Sequence, residues 1–112
     1  MQKLCLFIIC LMFCATVFGQ VNVSSGTVKR VENFASKYVD ARNIDVWMPD
    51  NYSAKKKYAV LYMHDGAGLF DATKTWNKQE WGVDETISKL IKKEKIRETI
   101  VVGVWNTGKY RH

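Results

Sequence analysis

The apolar positions of this chain change their period along its length. Ile44, Val46 and Met48 alternate with Asn43, Asp45 and Trp47, the pattern of a half-buried antiparallel strand over about Ala41–Pro49. Pro49 ends it, having no N–H for the ladder. Val28, Val31 and Phe34 are spaced more loosely and predict a partner strand over Thr27–Ser36, with a turn at Lys37–Asp40. From Tyr58 to Met63 the period disappears into an apolar run, as in a parallel-sheet strand covered on both faces, and Tyr58–His64 is a third strand. Val83, Ile87, Leu90 and Ile91 then fall at i, i+4, i+7 and i+8, one face of a helix from about Val83 to Lys93. Asp84 and Glu85 in its first turn and Lys92-Lys93 in its last complement the helix dipole. Thr99–Trp105 is a fourth strand, apolar throughout.

The order β-β-β-α-β places a crossover helix between two buried strands. That makes a right-handed parallel βαβ unit after an antiparallel pair, and the fold class is α/β. A parallel pair needs cover on both faces, and one helix covers one. The chain therefore reads as the N-terminal portion of an incomplete domain, the alternative being a small complete α+β domain. Between the third strand and the helix, Ala67–Gly82 reads as a long loop carrying Phe70, Trp76 and Trp81. Trp81, beside the helix start, is assigned to the core.

Three further features alter this picture. Lys3 followed by the apolar stretch Leu4–Phe18, with Val17 and Gly19 as small residues before a break, reads as a signal peptide over residues 1–19. The stretch is short for a membrane anchor. The domain then spans 20–112, secreted or periplasmic and free of the membrane after cleavage. Cys5, Cys10 and Cys14 all lie inside the signal, so the mature chain relies on a packed core without disulfides. The net charge of +6 is dispersed apart from Lys55-Lys56-Lys57 and Lys92-Lys93, which reads as solvated surface and not as a nucleic-acid footprint. Asn22-Val23-Ser24 and Asn51-Tyr52-Ser53 match the glycosylation sequon, which matters only in a eukaryotic secretory host.

The chemistry concentrates where the third strand stops, at His64-Asp65-Gly66-Ala67-Gly68. A buried strand delivering a glycine-bearing turn is how open α/β sheets build sites at their strand ends. The same Asp-Gly pair would also suit a two-residue hairpin returning along Leu69–Thr73, a short arm poor in β-branched residues. His64, Asp65 and Asp71 lack a recognised metal-ligand spacing. The reading for His64 and Asp65 is loop-shaping, Asp65 by hydrogen bonds to the backbone. Trp76 and Trp105 are candidate walls for an aromatic or sugar group. Asn106 follows the fourth strand, on the same edge as Ala67 if the strands are parallel.

The segments Tyr-Met-His-Asp-Gly at 62–66, Leu-Phe-Asp at 69–71, Thr-Trp-Asn at 75–77, Glu-Trp-Gly-Val-Asp-Glu at 80–85 and Ile-Val-Val-Gly-Val-Trp-Asn at 100–106 carry a resemblance. From about Val28 to His112 the chain resembles the N-terminal half of the putative-esterase family. That family has esterase D-like, enterochelin-esterase-like and feruloyl-esterase-like members in the α/β-hydrolase superfamily. Ala67-Gly68 stands where close relatives often carry Gln-Asn. The resemblance implies a Ser-His-Asp/Glu hydrolase whose nucleophile sits in a Gly-x-Ser-x-Gly elbow after a fifth strand. None of Ser24, Ser25, Ser36, Ser53 and Ser88 has both flanking glycines. His64 and His112 precede the place where the catalytic histidine belongs, so the chain is expected to be inert alone.

It also implies that the loop after the third strand gives one donor of an oxyanion hole. The N–H of Ala67 is the candidate, with Gly66, Gly68, Trp76, Trp105 and Asn106 as substrate contacts. The implied substrate is a small-molecule or carbohydrate ester, without metal or organic cofactor. The implied partner is the missing C-terminal half of the domain. The alternative function is a non-catalytic carbohydrate- or protein-binding module on a degenerate hydrolase fold.

Overall fold

The computed structural model describes residues 19–109. The signal-peptide reading, Gly19 apart, lies outside them. Four strands, β1 (Thr27–Phe34), β2 (Arg42–Met48), β3 (Ala59–Met63) and β4 (Thr99–Val104), form one sheet in the order β1-β2-β4-β3. β1 and β2 are antiparallel, as are β2 and β4. β3 and β4 are parallel, joined through the helix α1 (Val83–Lys92). The predicted βαβ unit is therefore present, and β4 enters between β3 and the β1–β2 pair.

Register fixes which side chains share a face. Asp45, Trp47, Val101 and Gly103 occupy one face, with Arg30 and Val28 opposite them on β1 and Leu61 and Met63 on β3. Leu69, Phe70 and Val83 pack on this face against Trp47 and Val101 to form the core, and Val21, Val23, Val28, Met63 and Ile87 border it. Burying each large apolar side chain contributes about 1.5–3 kcal/mol. The other face carries Ile44, Val46, Ile100, Val102 and Val104, with Val31, Val60 and Tyr62 exposed. Among the described residues no helix covers this second face, which agrees with one helix covering one side.

Two expectations are corrected. β3 is not covered on both faces: it lies at the sheet edge, and Tyr62 is 73% exposed. In β2 the core-facing set is Asp45 and Trp47, the interleaved residues, and not Ile44 and Val46. Arg30 neutralises Asp45 from β1, so a charge is carried on the buried side.

α1 begins after Gly82, whose left-handed φ of 61° turns the chain into the helix, and Thr86 N–H reaches back to the Gly82 carbonyl. At its far end Glu94 is left-handed. The Glu94 and Lys95 N–H groups bond the Ile91 and Leu90 carbonyls, a Schellman closure that sends the chain toward β4. The N-terminal lead-in is tied down by carboxylates: Asn22 N–H donates to Asp71, and Ser24 donates through N–H and Oγ to the fully buried Asp84.

Candidate functional site

The site is built where β3 ends against β4. His64 is exposed there, and Asp65 adopts a left-handed conformation, φ 56° and ψ 41°. The Asp65 carbonyl accepts the Gly68 N–H at 2.9 Å, closing a tight 3-10 turn over Gly66–Gly68. Gly66 is buried: a Cβ there would lie 2.6 Å from the Gly103 carbonyl oxygen and 2.8 Å from Trp105 Cδ1. A Cβ on Gly103 would lie 2.8 Å from Leu69 Cδ1. The two glycines let the loop cross the end of β4 in direct backbone contact, which any side chain would block. The hairpin alternative is absent, because β3 pairs with β4 and Leu69–Thr73 does not return along it.

This crossing leaves Ala67 at the carboxyl edge of the parallel pair. Among the described residues, no hydrogen bond takes up its N–H. Ala67 and Gly68 line an open cleft of about 560 Å³ with Trp76, Trp81, Glu80 and Asn106. The Asn106 amide donates to Asp65 Oδ1 at 3.4 Å, so the end of β4 is linked to the turn. Trp76 is 94% exposed and Trp81 74%. The assignment of Trp81 to the core is thereby corrected. Its N–H bonds the Gly68 carbonyl, and the Gly82 turn sends Val83 inward in its place. The long loop expected over Ala67–Gly82 includes a second 3-10 turn at Ala72–Lys74, capped by Asp71.

On the core side, Ala67 also lines a smaller cavity of about 290 Å³ with Gly66, Arg30, Asp45, Lys74 and Trp105. Asp45 is 1% exposed and takes a two-pronged bond from Arg30, Nε to Oδ1 at 2.7 Å and Nη2 to Oδ2 at 2.9 Å. Trp105 Nε1 donates to Asp45 Oδ2 at 2.9 Å. The Arg30 guanidinium lies 4.5 Å from the centre of the Trp105 ring. Its hydrogen bond to Asp45 pushes the Arg30 pKa further up.

Acidic groups gather behind the outer rim. Burial pushes the Asp71 carboxyl up, but bonds from the Thr73 hydroxyl and from the Asn22 and Thr73 N–H groups outweigh it and hold it below its ordinary value. The Asp71 contribution to stability is thus complete above its ordinary carboxylate range and fades as pH falls through the lowered value. Glu80 shifts the other way: burial raises it, and so do Glu85, Asp84 and Asp71. Glu80 Oε2 and Asp84 Oδ1 are buried without a hydrogen-bond partner. Among the described residues, no three His, Cys, Asp or Glu side chains are grouped to hold a metal. Both Asp71 oxygens accept hydrogen bonds from protein donors.

The structure thus brings Ala67, Gly68, Asp65, Trp76 and Asn106 to one cleft, whereas Gly66 and Trp105, expected as substrate contacts, line the smaller cavity on the core side, with Trp105 beneath Gly66. Sequence reasoning passed over Gly103, Arg30 and Asp45. A glycine inside an apolar strand is a signal of close backbone approach and points to Gly103. A charged residue in register with a tryptophan points to Asp45. Nothing local marks Arg30, whose role depends on strand pairing.

A family model described as "Putative esterase" matches residues 36–112. Among solved structures, a CE1 ferulic acid esterase from Anaeromyces mucronatus, determined in complex with ferulic acid, superposes with a TM-score of 0.51 at 23% identity. The match covers 74% of this chain and 29% of that esterase, so the likeness is one of fold and spans under a third of the longer protein. No curated protein matches the chain.

Proposed function

Because the chain belongs to the family described as putative esterases, we propose that it is the N-terminal part of a secreted serine esterase, contributing the oxyanion loop but not the nucleophile. The observation that carries this reading is Ala67 itself: it lies at the carboxyl edge of β3 and β4 and lines the open cleft, and among the described residues no hydrogen bond takes up its N–H. In this reading a serine beyond residue 112 attacks the ester carbonyl, and its proton passes to a histidine. The carbonyl oxygen takes up the negative charge and is held by two N–H donors, Ala67 and the residue after the serine. Collapse expels the alcohol, which takes the proton from the histidine, and water then releases the acid from the acyl-enzyme. One fixed donor contributes roughly 3–4 kcal/mol to that intermediate. Gly68 keeps a side chain away from the approaching carbonyl, and Gly66 lets the loop sit directly against β4 and Trp105. His64 and Asp65 shape the turn, Trp76 and Asn106 flank the bound ester, and Trp105 closes the site from below.

Reading the coding sequence beyond codon 112 tests this first. A downstream Gly-x-Ser-x-Gly followed by an acid and a histidine supports it, and a stop codon at that point contradicts it. With the longer polypeptide in hand, Ala67→Pro removes the donor and is expected to lower kcat about 10²–10³-fold, whereas residues 20–112 alone leave a chromogenic ester intact. Undiminished turnover by Ala67→Pro would refute the oxyanion role.

A second reading has its own observation. Two highly exposed tryptophans, Trp76 and Trp81, border a cleft with amide side chains. That arrangement suits a non-catalytic carbohydrate-binding module, the reading that a stop codon would favour.

A further inference from the structure

We propose that Asp45, Arg30 and Trp105 act together as a positioning unit that sets the direction of the Ala67 N–H. The proposal rests on the oxyanion reading for what Ala67 does, but the arrangement itself is a matter of geometry. Asp45 is buried on the core face, and its carboxylate is held at both oxygens by the Arg30 fork. A carboxylate gripped this way cannot rotate, so the direction in which Oδ2 receives Trp105 Nε1 is fixed. Arg30 also covers one face of the indole, 4.5 Å from the ring centre, so the ring is held both by its N–H and by its face.

The indole atom that meets Gly66 is Cδ1, the ring carbon bonded directly to Nε1. The atom that Asp45 holds and the atom that supports the loop are therefore one bond apart, and tilt of the ring passes straight to Gly66. Ala67 is the next residue. Gly103 supplies the second support, its carbonyl lying against Gly66 from the end of β4.

Buried ion pairs add little net stability compared with apolar replacements, and orientation is a role they can fill. Here the pair spans β1 and β2, and the indole follows β4, so three separate strands converge on one turn. Trp105 is in this view a positioning residue, acting on the reaction through Gly66 and Ala67.

The test uses the full polypeptide labelled with 15N glycine and alanine, so that Gly66, Ala67 and Gly68 report on the loop and Ala59 on the sheet. Trp105→Phe keeps a ring but removes the Nε1 donor. Arg30→Lys keeps the charge but loses the fork. In Trp105→Phe the order parameters of Gly66 and Ala67 are expected to fall from about 0.85 to below about 0.6, with Ala59 unchanged. Arg30→Lys is expected to move the same residues in the same direction by less. Unchanged Gly66 and Ala67 in both variants, or an equal loss at Ala59, overturns the proposal. Should Trp105→Phe fail to fold, Arg30→Lys decides by the same criterion.

On a chromogenic ester, Trp105→Phe is expected to lower kcat roughly ten- to a hundredfold with KM little changed. A parent polypeptide without esterase activity would remove the oxyanion reading while leaving the relaxation result to stand or fall by itself.

Discussion

The two sides of the Ala67 turn are made differently. Beneath it, Gly66 touches Gly103 and Trp105, and the polar atoms of Asp45 and the indole are all engaged within the chain. Above it, Trp76 and Trp81 stand in solvent, and Glu80 carries a buried oxygen with no partner. The lower side is over-determined and the upper side under-determined. A fixed amide needs the first kind of surroundings, because a donor that must reorganise during reaction loses much of its value. A wall that receives a substrate needs the second, because exposed rings such as Trp76 and Trp81 are free to be met.

Substitutions sharpen that contrast, beginning with the strongest. Asp45→Ala is expected to cost about 3 kcal/mol, the lower end for breaking a buried pair, because the Arg30 side chain keeps some contact with water (27% exposed). Urea unfolding followed by tryptophan fluorescence measures it, and a loss below about 1 kcal/mol would show that the network is not under tension from burial. Gly66→Ala comes next. Its methyl group would meet the Gly103 backbone, which cannot swing aside, so about 1–3 kcal/mol is expected in the same assay.

On the upper side the effects shrink, and one changes sign. Glu80 has a raised pKa, so folding is opposed by its charge as pH climbs from the ordinary carboxylate range through the raised value, and is unaffected below it. Glu80→Gln is expected to raise the melting temperature at pH 7 through a gain under about 1 kcal/mol, with no gain at pH 4. A gain of equal size at both pH values would assign the effect to something other than charge. Trp76→Ala, the mildest, should leave stability within about 0.5 kcal/mol while raising KM for an ester substrate.

The same division separates what could be read from the sequence from what could not. The strands, the helix and their order follow from local periodicity, as the spacing Val83, Ile87, Leu90, Ile91 illustrates. Parallel pairing of β3 and β4 followed from the crossover rule, and with it the placement of Asn106 on the same edge as Ala67. Pairing partners at a distance were not legible. The face of β2 that turns inward depends on Arg30 meeting Asp45 across the sheet, and alternation by itself pointed to the other face. Trp81 was misplaced for a similar reason: hydrophobicity argues for burial, but the left-handed Gly82 decides which neighbour enters the core. Gly103 carried its signal in plain view, a glycine within an apolar strand.

The central claim is that the Ala67 N–H faces the reacting ester. A crystal structure of the full polypeptide, trapped on its serine by a phosphonate ester that mimics the tetrahedral intermediate, tests it directly. The account predicts the phosphoryl oxygen about 2.7–3.1 Å from the Ala67 nitrogen, with Gly66 still seated on Trp105 and Gly103. An oxygen directed to other donors, with the Ala67 N–H left facing solvent, would contradict it.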